Sequence, residues 1–172
     1  VRAVLFVDQT DSAFFPRSGF RAGGTAYAAR ASFGSALSYE RLEGAIQGAH
    51  SWGPHTLNYF IGGGTDLGSD MPAYESFTLG GPLRLSAYRF NQFAGREYAF
   101  GRLMYYNRVF PLPDLLGRGV YVGGSAEVGR MKDRYDGLPS PGTLWSGSLF
   151  LGADTFAGPA YLGVGFGESG TW

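Results

Sequence analysis

Residues 77–108 read FTLGGPLRLSAYRFNQFAGREYAFGRLMYYNR, a glycine-bearing loop that runs into a long, two-faced strand. From Gly95 to Phe110 every second residue puts Arg96, Tyr98, Arg102, Tyr106 and Arg108 on one face and Ala99, Leu103, Tyr105 and Val109 on the other. The reason is that successive side chains of an extended chain point to opposite sides. One face is polar and the other apolar. The alternation lasts about sixteen residues, where an ordinary strand has about five or six. That length predicts a strand of a transmembrane β-barrel.

The same pattern extends in both directions. Residues 1–8 set Ala3, Leu5 and Val7 against Arg2 and Asp8, and QTDSAFFPRSG is a connection rich in turn formers. Residues 19–33 read as a strand with broken alternation, because Arg21 and Arg30 fall on opposite faces. Between Leu37 and Trp52, Arg41, Glu43 and Gln47 oppose Leu42 and Ile46; beyond the Gly53-Pro54 turn, Leu57, Tyr59 and Ile61 oppose Thr56 and Asn58. Residues 62–94 form a connection far longer than compact domains usually carry, which predicts that it packs somewhere. After it, Val120, Val122, Ala126 and Val128 oppose Tyr121, Ser125 and Glu127, and 130–142 is a polar loop. Trp145, Leu149, Leu151 and Ala153 oppose Ser146, Ser148 and Asp154, and Ala160, Leu162, Val164 and Phe166 alternate with Tyr161 and glycines. The reading is an all-β, antiparallel transmembrane barrel segment of about eight strands. Short turns of such barrels face the periplasm, so the 62–94 and 130–142 loops are expected on the outer side.

Composition agrees. Glycine supplies 29 of the 172 residues, more than twice the usual share of roughly 7%. Charged residues are only 16% and aromatics also reach 16%, which suits a lipid-facing sheet with aromatic girdles. No apolar run is long enough for a transmembrane helix, so a membrane span must be made of strands. The net charge is zero and no Lys/Arg block occurs, which argues against nucleic acid as a partner. There is no cysteine. His50 and His55, five apart, are expected on opposite strand faces as girdle or lumen residues, not as a metal pair. The chain opens at Val1 without a Met or an apolar signal segment and closes on GESGTW. It is expected to be a piece of something longer, one barrel domain over 1–172 cut at both ends, and Trp172 is not read as a C-terminal assembly signal.

Several stretches together resemble the surface-antigen barrel superfamily of the bacterial outer membrane. They are Asp8-x-x-Asp11 followed by Pro16-Arg17-x-Gly19, Leu79-Gly80-Gly81 followed by Leu85-Ser86-Ala87-Tyr88, and Gly95 opening a long strand. The superfamily includes barrel-assembly and two-partner secretion transporters, and the sequence is most similar to the C-terminal barrel of patatin-like phospholipases, the type V secretion variety. The resemblance implies a sixteen-stranded barrel of which this chain holds the C-terminal half. It also implies that the long loop folds into the lumen and that its tip meets the acidic-x-Gly element Glu127-Val128-Gly129. The superfamily tip is typically Val-Arg-Gly-Tyr and the patatin-linked branch Leu-Ser-Gly-Tyr, so Ser86 fits that branch and Ala87 departs from it. With no arginine at position 86, the expected partner of Glu127 is Arg84 or Arg89 from the loop, or Arg96, Arg102 or Arg108 from the strand, since a shielded carboxylate is costly unless paired. The candidate lumen and plug residues are therefore Gly80, Gly81, Arg84, Ser86, Tyr88, Arg89, Arg96, Arg102, Arg108, Glu127 and Gly129.

The chemistry expected of this segment is physical. Patatin-like enzymes carry Gly-x-Ser-x-Gly in an upstream α/β domain; the nearest approach here, Ala49-His50-Ser51-Trp52-Gly53, lacks the first glycine and ends a strand. Asp66, Asp70 and Glu75 match no EF-hand spacing, and Gly62-Gly63-Gly64 has no helix after it to cradle a phosphate. No catalytic residue, cofactor or metal is assigned. The expected function is outer-membrane anchor or translocator of a patatin-like phospholipase precursor. Its expected partners are outer-membrane lipid and lipopolysaccharide, its own N-terminal passenger, the barrel-assembly machinery and a second copy as a homodimer. The alternatives are a polypeptide-translocating transporter of the same superfamily and a soluble β-barrel binder, which the outward Leu, Val and Ala stripes oppose.

Overall fold

A computed structural model describes residues 1–30, 34, 36–113, 115–135 and 140–167, and the backbone of 170 and 171. The strands are β1 (Arg2–Asp8), β2 (Gly19–Ala29), β3 (Tyr39–Trp52), β4 (His55–Thr65), β5 (Phe77–Leu79), β6 (Phe93–Phe110), β7 (Gly117–Arg134), β8 (Leu144–Thr155), β9 (Gly158–Gly167) and β10 (Gly170–Thr171). They form one antiparallel sheet in chain order, with the short β5 paired beside the start of β6. The sheet is open, with β1 at one end of the order and β9 and β10 at the other. No helix among the described residues is long and apolar enough to cross a membrane. The architecture is that of a partial β-barrel wall, as the alternation predicts. Trp172 lies outside the described residues.

Three boundaries differ from the sequence reading. β2 ends at Ala29, and Arg30 lies past the strand where it pairs with Glu40, which explains the broken alternation. Gly62, Gly63 and Gly64 belong to β4, not to the connection; Gly64 has no side chain because the Phe77 ring occupies that space, 2.5 Å from where a Cβ would stand. β7 continues through the polar residues to Arg134, because Lys132 opposes Glu97 on β6 and pairs with it at 3.0 Å. Polarity there marks a rim, and the ladder runs through it.

Outward positions include Leu57, Ile61, Leu103, Val122, Leu149 and Leu162, all exposed. The Gly53 turn corrects the face assigned to the histidines and leaves them girdle residues. It folds β3 against β4 with Trp52 opposite His55, so that His50, Trp52, His55 and Tyr105 stack in sequence at 6.0–6.2 Å along one outer rim. A turn between two residues resets the face count that spacing alone suggests. Trp145 stands near the other rim. The ladder puts Trp52 level with Val122 and Trp145 level with Val128, roughly 20 Å apart along the strand at about 3.3 Å per residue.

Inward positions are covered by two chain segments laid across the sheet, and these make the core. Residues 79–93 bury Leu79, Leu85, Ala87 and Phe93 among Tyr98, Phe100, Met131 and Leu144. Residues 9–18 bury Phe15 among Met104, Tyr106, Tyr121 and Phe150.

Candidate functional site

The loop between β5 and β6 is folded tightly enough to act as a solid body. Gly80 and Gly81 take φ of 118° and 112°, and a Cβ on Gly80 would stand 2.3 Å from the Arg89 carbonyl oxygen. Their N–H groups donate to the carbonyls of Arg84 (3.0 Å) and Tyr88 (3.1 Å). Leu83, Leu85 and Asn91 hold φ of 58°, 71° and 53°. Such conformations persist in non-glycine residues only where the surroundings compel them.

The surroundings are the inner face of β7, β8 and β9. Glu127, 1% exposed, receives Ser86 twice, through its backbone N–H at 2.6 Å and its hydroxyl at 2.8 Å. Ser125 and Ser146 donate their hydroxyls to the same carboxylate at 2.6 and 2.8 Å. Each carboxylate oxygen thus accepts two hydrogen bonds, one of them from the loop. Two residues on, Gly129 leaves the space that Leu85 fills; a Cβ there would lie 2.9 Å from a Leu85 methyl. On β9 the inward glycines make further room, since a Cβ at Gly165 would meet the Ser86 carbonyl oxygen at 1.9 Å and one at Gly167 the Ala87 methyl at 2.8 Å. Ala87 is fully buried in this corner.

The arginine expected for Glu127 is not its hydrogen-bond partner. Among the described residues Glu127 makes no ion-pair contact; its hydrogen bonds come from neutral donors, which compensate a buried carboxylate, and Arg102 opposite it on β6 adds an electrostatic attraction without touching it. Arg102, its register partner on β6, turns instead to the Leu83 carbonyl (3.0 Å), lies 5.7 Å over the Phe60 ring and reaches Asn58 at 3.5 Å. Arg84 stands 5.5 Å over the Tyr98 ring, whose hydroxyl donates to Glu43 at 2.8 Å. Arg89 contributes backbone, accepting from the Gln92 N–H at 3.1 Å, and Tyr88 packs edge-on against Phe93 at 5.1 Å. Arg96 binds Asp66 and the Ser69 carbonyl and so ties down the start of the long connection. Arg108 lies at the opposite end of β6, its stem against Gly119. Ser86, Glu127, Gly129, Gly80, Gly81, Tyr88, Arg84 and Arg102 therefore meet around one loop, and Arg96 and Arg108 serve the two rims.

Sequence reasoning missed Ser125 and Ser146 as partners, although both sit inward beside Glu127, Ser125 two residues away on β7 and Ser146 opposite it on β8. It also missed Leu85 and the β9 glycines as the fitted surface. The acidic residues of the long connection bind cations of the chain itself: Asp66 accepts from Arg96, and Glu75 stands 3.8 Å from Arg41. Among the described residues no group of three or more His, Asp or Glu side chains is placed to hold a metal. Ser51 donates to the Arg17 carbonyl at 2.6 Å and sits in a strand, not on a nucleophile elbow. In the loop beyond β7, burial pushes the Tyr135 phenol up, and it stays a donor to the Met71 carbonyl.

A sheet with an apolar outer face, a polar inner face and a loop returned onto that inner face by a buried glutamate defines a wall of the outer-membrane barrel type. A family model described as the Omp85 superfamily domain matches residues 2–128, well over half of the chain. The chain belongs to the Omp85 superfamily, whose domains are barrels typical of the bacterial outer membrane. No curated protein matches the sequence.

Proposed function

We propose that this chain is the membrane anchor and translocator wall of a patatin-like phospholipase precursor, with the loop over residues 80–92 plugging its lumen from the outer side. The observation that carries the reading is how Ser86 meets Glu127. Both the backbone N–H and the hydroxyl of Ser86 donate to the carboxylate, so a serine meets the buried glutamate here without a cationic side chain. Serine at this point of the loop is what the patatin-linked branch resembled here implies. Outward leucine, valine and aromatic side chains bury in lipid, the ladder satisfies the backbone amides, and the sixteen-stranded barrel is completed by strands beyond this segment. Lipid and lipopolysaccharide, an N-terminal passenger, the assembly machinery and a second barrel are the partners this reading names.

Membership of the Omp85 superfamily favours a second reading, a transporter whose lumen conducts a polypeptide. The intact protein separates the two. An upstream α/β domain with Gly-x-Ser-x-Gly, together with fatty-acid release from phospholipid by the purified protein that a serine-to-alanine change abolishes, supports the first. Periplasmic modules alone upstream, with no lipase activity, would replace it with the second.

A further inference from the structure

The connection between β1 and β2 also lies on the inner face, and it is held there as a bound peptide would be. Asp8 turns the chain by accepting from the Thr10 N–H (2.9 Å) and hydroxyl (2.6 Å). Asp11 accepts from the N–H groups of Arg17 and Ser18 at 2.8 and 3.1 Å. Gly19, at φ 94°, lets β2 begin hard against the Gln9 carbonyl. The Asp-x-x-Asp and Pro-Arg-x-Gly residues thus clamp the base of a loop whose tip is driven inward. There Phe15 is 0% exposed. Its ring is stacked between Tyr121 (4.5 Å) and Tyr161 (4.8 Å), meets Tyr106 edge-on at 5.8 Å, and rests over Gly152, where a Cβ would stand 2.3 Å from it.

The wall also takes hold of the main chain. Tyr161 donates to the Phe14 carbonyl at 3.3 Å, Tyr106 to the Pro16 carbonyl and Ser51 to the Arg17 carbonyl at 2.6 Å. Three carbonyls and one ring are features that any polypeptide turn with an aromatic residue at its tip possesses. The Tyr121 hydroxyl of this cage is buried and has no hydrogen-bond partner among the described residues.

We propose that the Tyr106, Tyr121 and Tyr161 cage with its Gly152 notch is a peptide-binding site of the barrel wall. It is held shut in cis by Phe15, and in trans it takes an aromatic residue at the tip of a turn in another polypeptide. The site stands on wall geometry alone, whichever task the barrel performs. A tether as short as this loop gives Phe15 an effective concentration in the millimolar range, so an added peptide does not displace it from the unaltered protein.

The test replaces residues 12–17 by an equal length of Gly and Ser in the intact protein, folded in bilayers, and titrates a fluorescent peptide of residues 12–19. Saturable binding at least tenfold tighter than to the unaltered protein is expected. A peptide with Phe15→Ala should lose at least tenfold, one with Phe14→Ala should not, and Gly152→Leu in the loop-replaced protein should abolish binding. Absence of saturable binding, or equal binding of the Phe14→Ala and Phe15→Ala peptides, overturns the proposal. Insertion is read by heat-modifiable migration on gels. If the loop-replaced protein does not insert, the single Phe15→Ala protein is titrated instead; failure of both to insert also overturns the proposal, since the segment is then part of the wall and not the occupant of a site.

Discussion

Replacing Glu127 separates a loop held by hydroxyl donors from one held by charge. In Glu127→Ala the Ser86 N–H loses its acceptor in a buried setting, and an unsatisfied buried donor costs about 1–3 kcal/mol. The Ser86 hydroxyl loses a hydrogen bond to a charged group, itself worth about 1.5–3 kcal/mol before the hydroxyl finds another partner. A net loss of about 3 kcal/mol in loop docking follows, and at tenfold per 1.4 kcal/mol it raises the population of the undocked loop roughly a hundredfold. Glu127→Gln behaves differently. Its amide oxygen still accepts from the Ser86 N–H and Ser146, while its NH2 group faces the Ser86 and Ser125 hydroxyls, which rotate to accept. Only charge assistance is lost, about 1 kcal/mol or roughly fivefold. The assay is trypsin cleavage at Arg84 and Arg89, both exposed side chains on the loop, in protein folded in bilayers, with cleavage slow relative to reclosing. Glutamine as damaging as alanine would show that charge and an arginine partner hold the loop. Alanine without effect would show that Glu127 does not hold it.

Leu149→Arg, on the outer face between the two tryptophan levels, should cost roughly 2–4 kcal/mol of folding stability in bilayers, and an unchanged urea midpoint for insertion would refute the face assignment. Arg102→Leu should insert normally yet expose the loop to trypsin roughly tenfold to a hundredfold faster, because the Leu83 carbonyl loses a charged donor worth about 1.5–3 kcal/mol; unchanged resistance would mean the Arg102 to Leu83 bond is idle. Single-tryptophan proteins retaining Trp52 or Trp145 should both be quenched by lipids brominated near the headgroup and little by lipids brominated at the chain ends, as girdle residues at opposite interfaces require. Strong deep quenching of either would remove it from the rim.

The sequence by itself determined the wall. Side-chain direction alternates with every residue of an extended chain, so the positions of Arg102, Glu127, Leu103 and Leu149 relative to lipid and lumen follow from counting, and so does the barrel class. The tertiary structure decided everything that depends on which residues meet. Glu127 points inward in any register, but only the pairing of β7 with β8 brings Ser146 to it, and only the fold of the loop brings Ser86. The fate of Arg102 was not legible, because a guanidinium on a long stem chooses among several carbonyls and carboxylates within its reach. The faces of His50 and His55 were misread because a turn resets the count, and β7 was read too short because polar residues extend a ladder beyond the lipid as readily as they end one. Phe15 sits in a segment whose composition reads as a plain turn; what places it in the core is a cage assembled from β6, β7 and β9, strands that lie far from it in sequence and are joined to it only by folding.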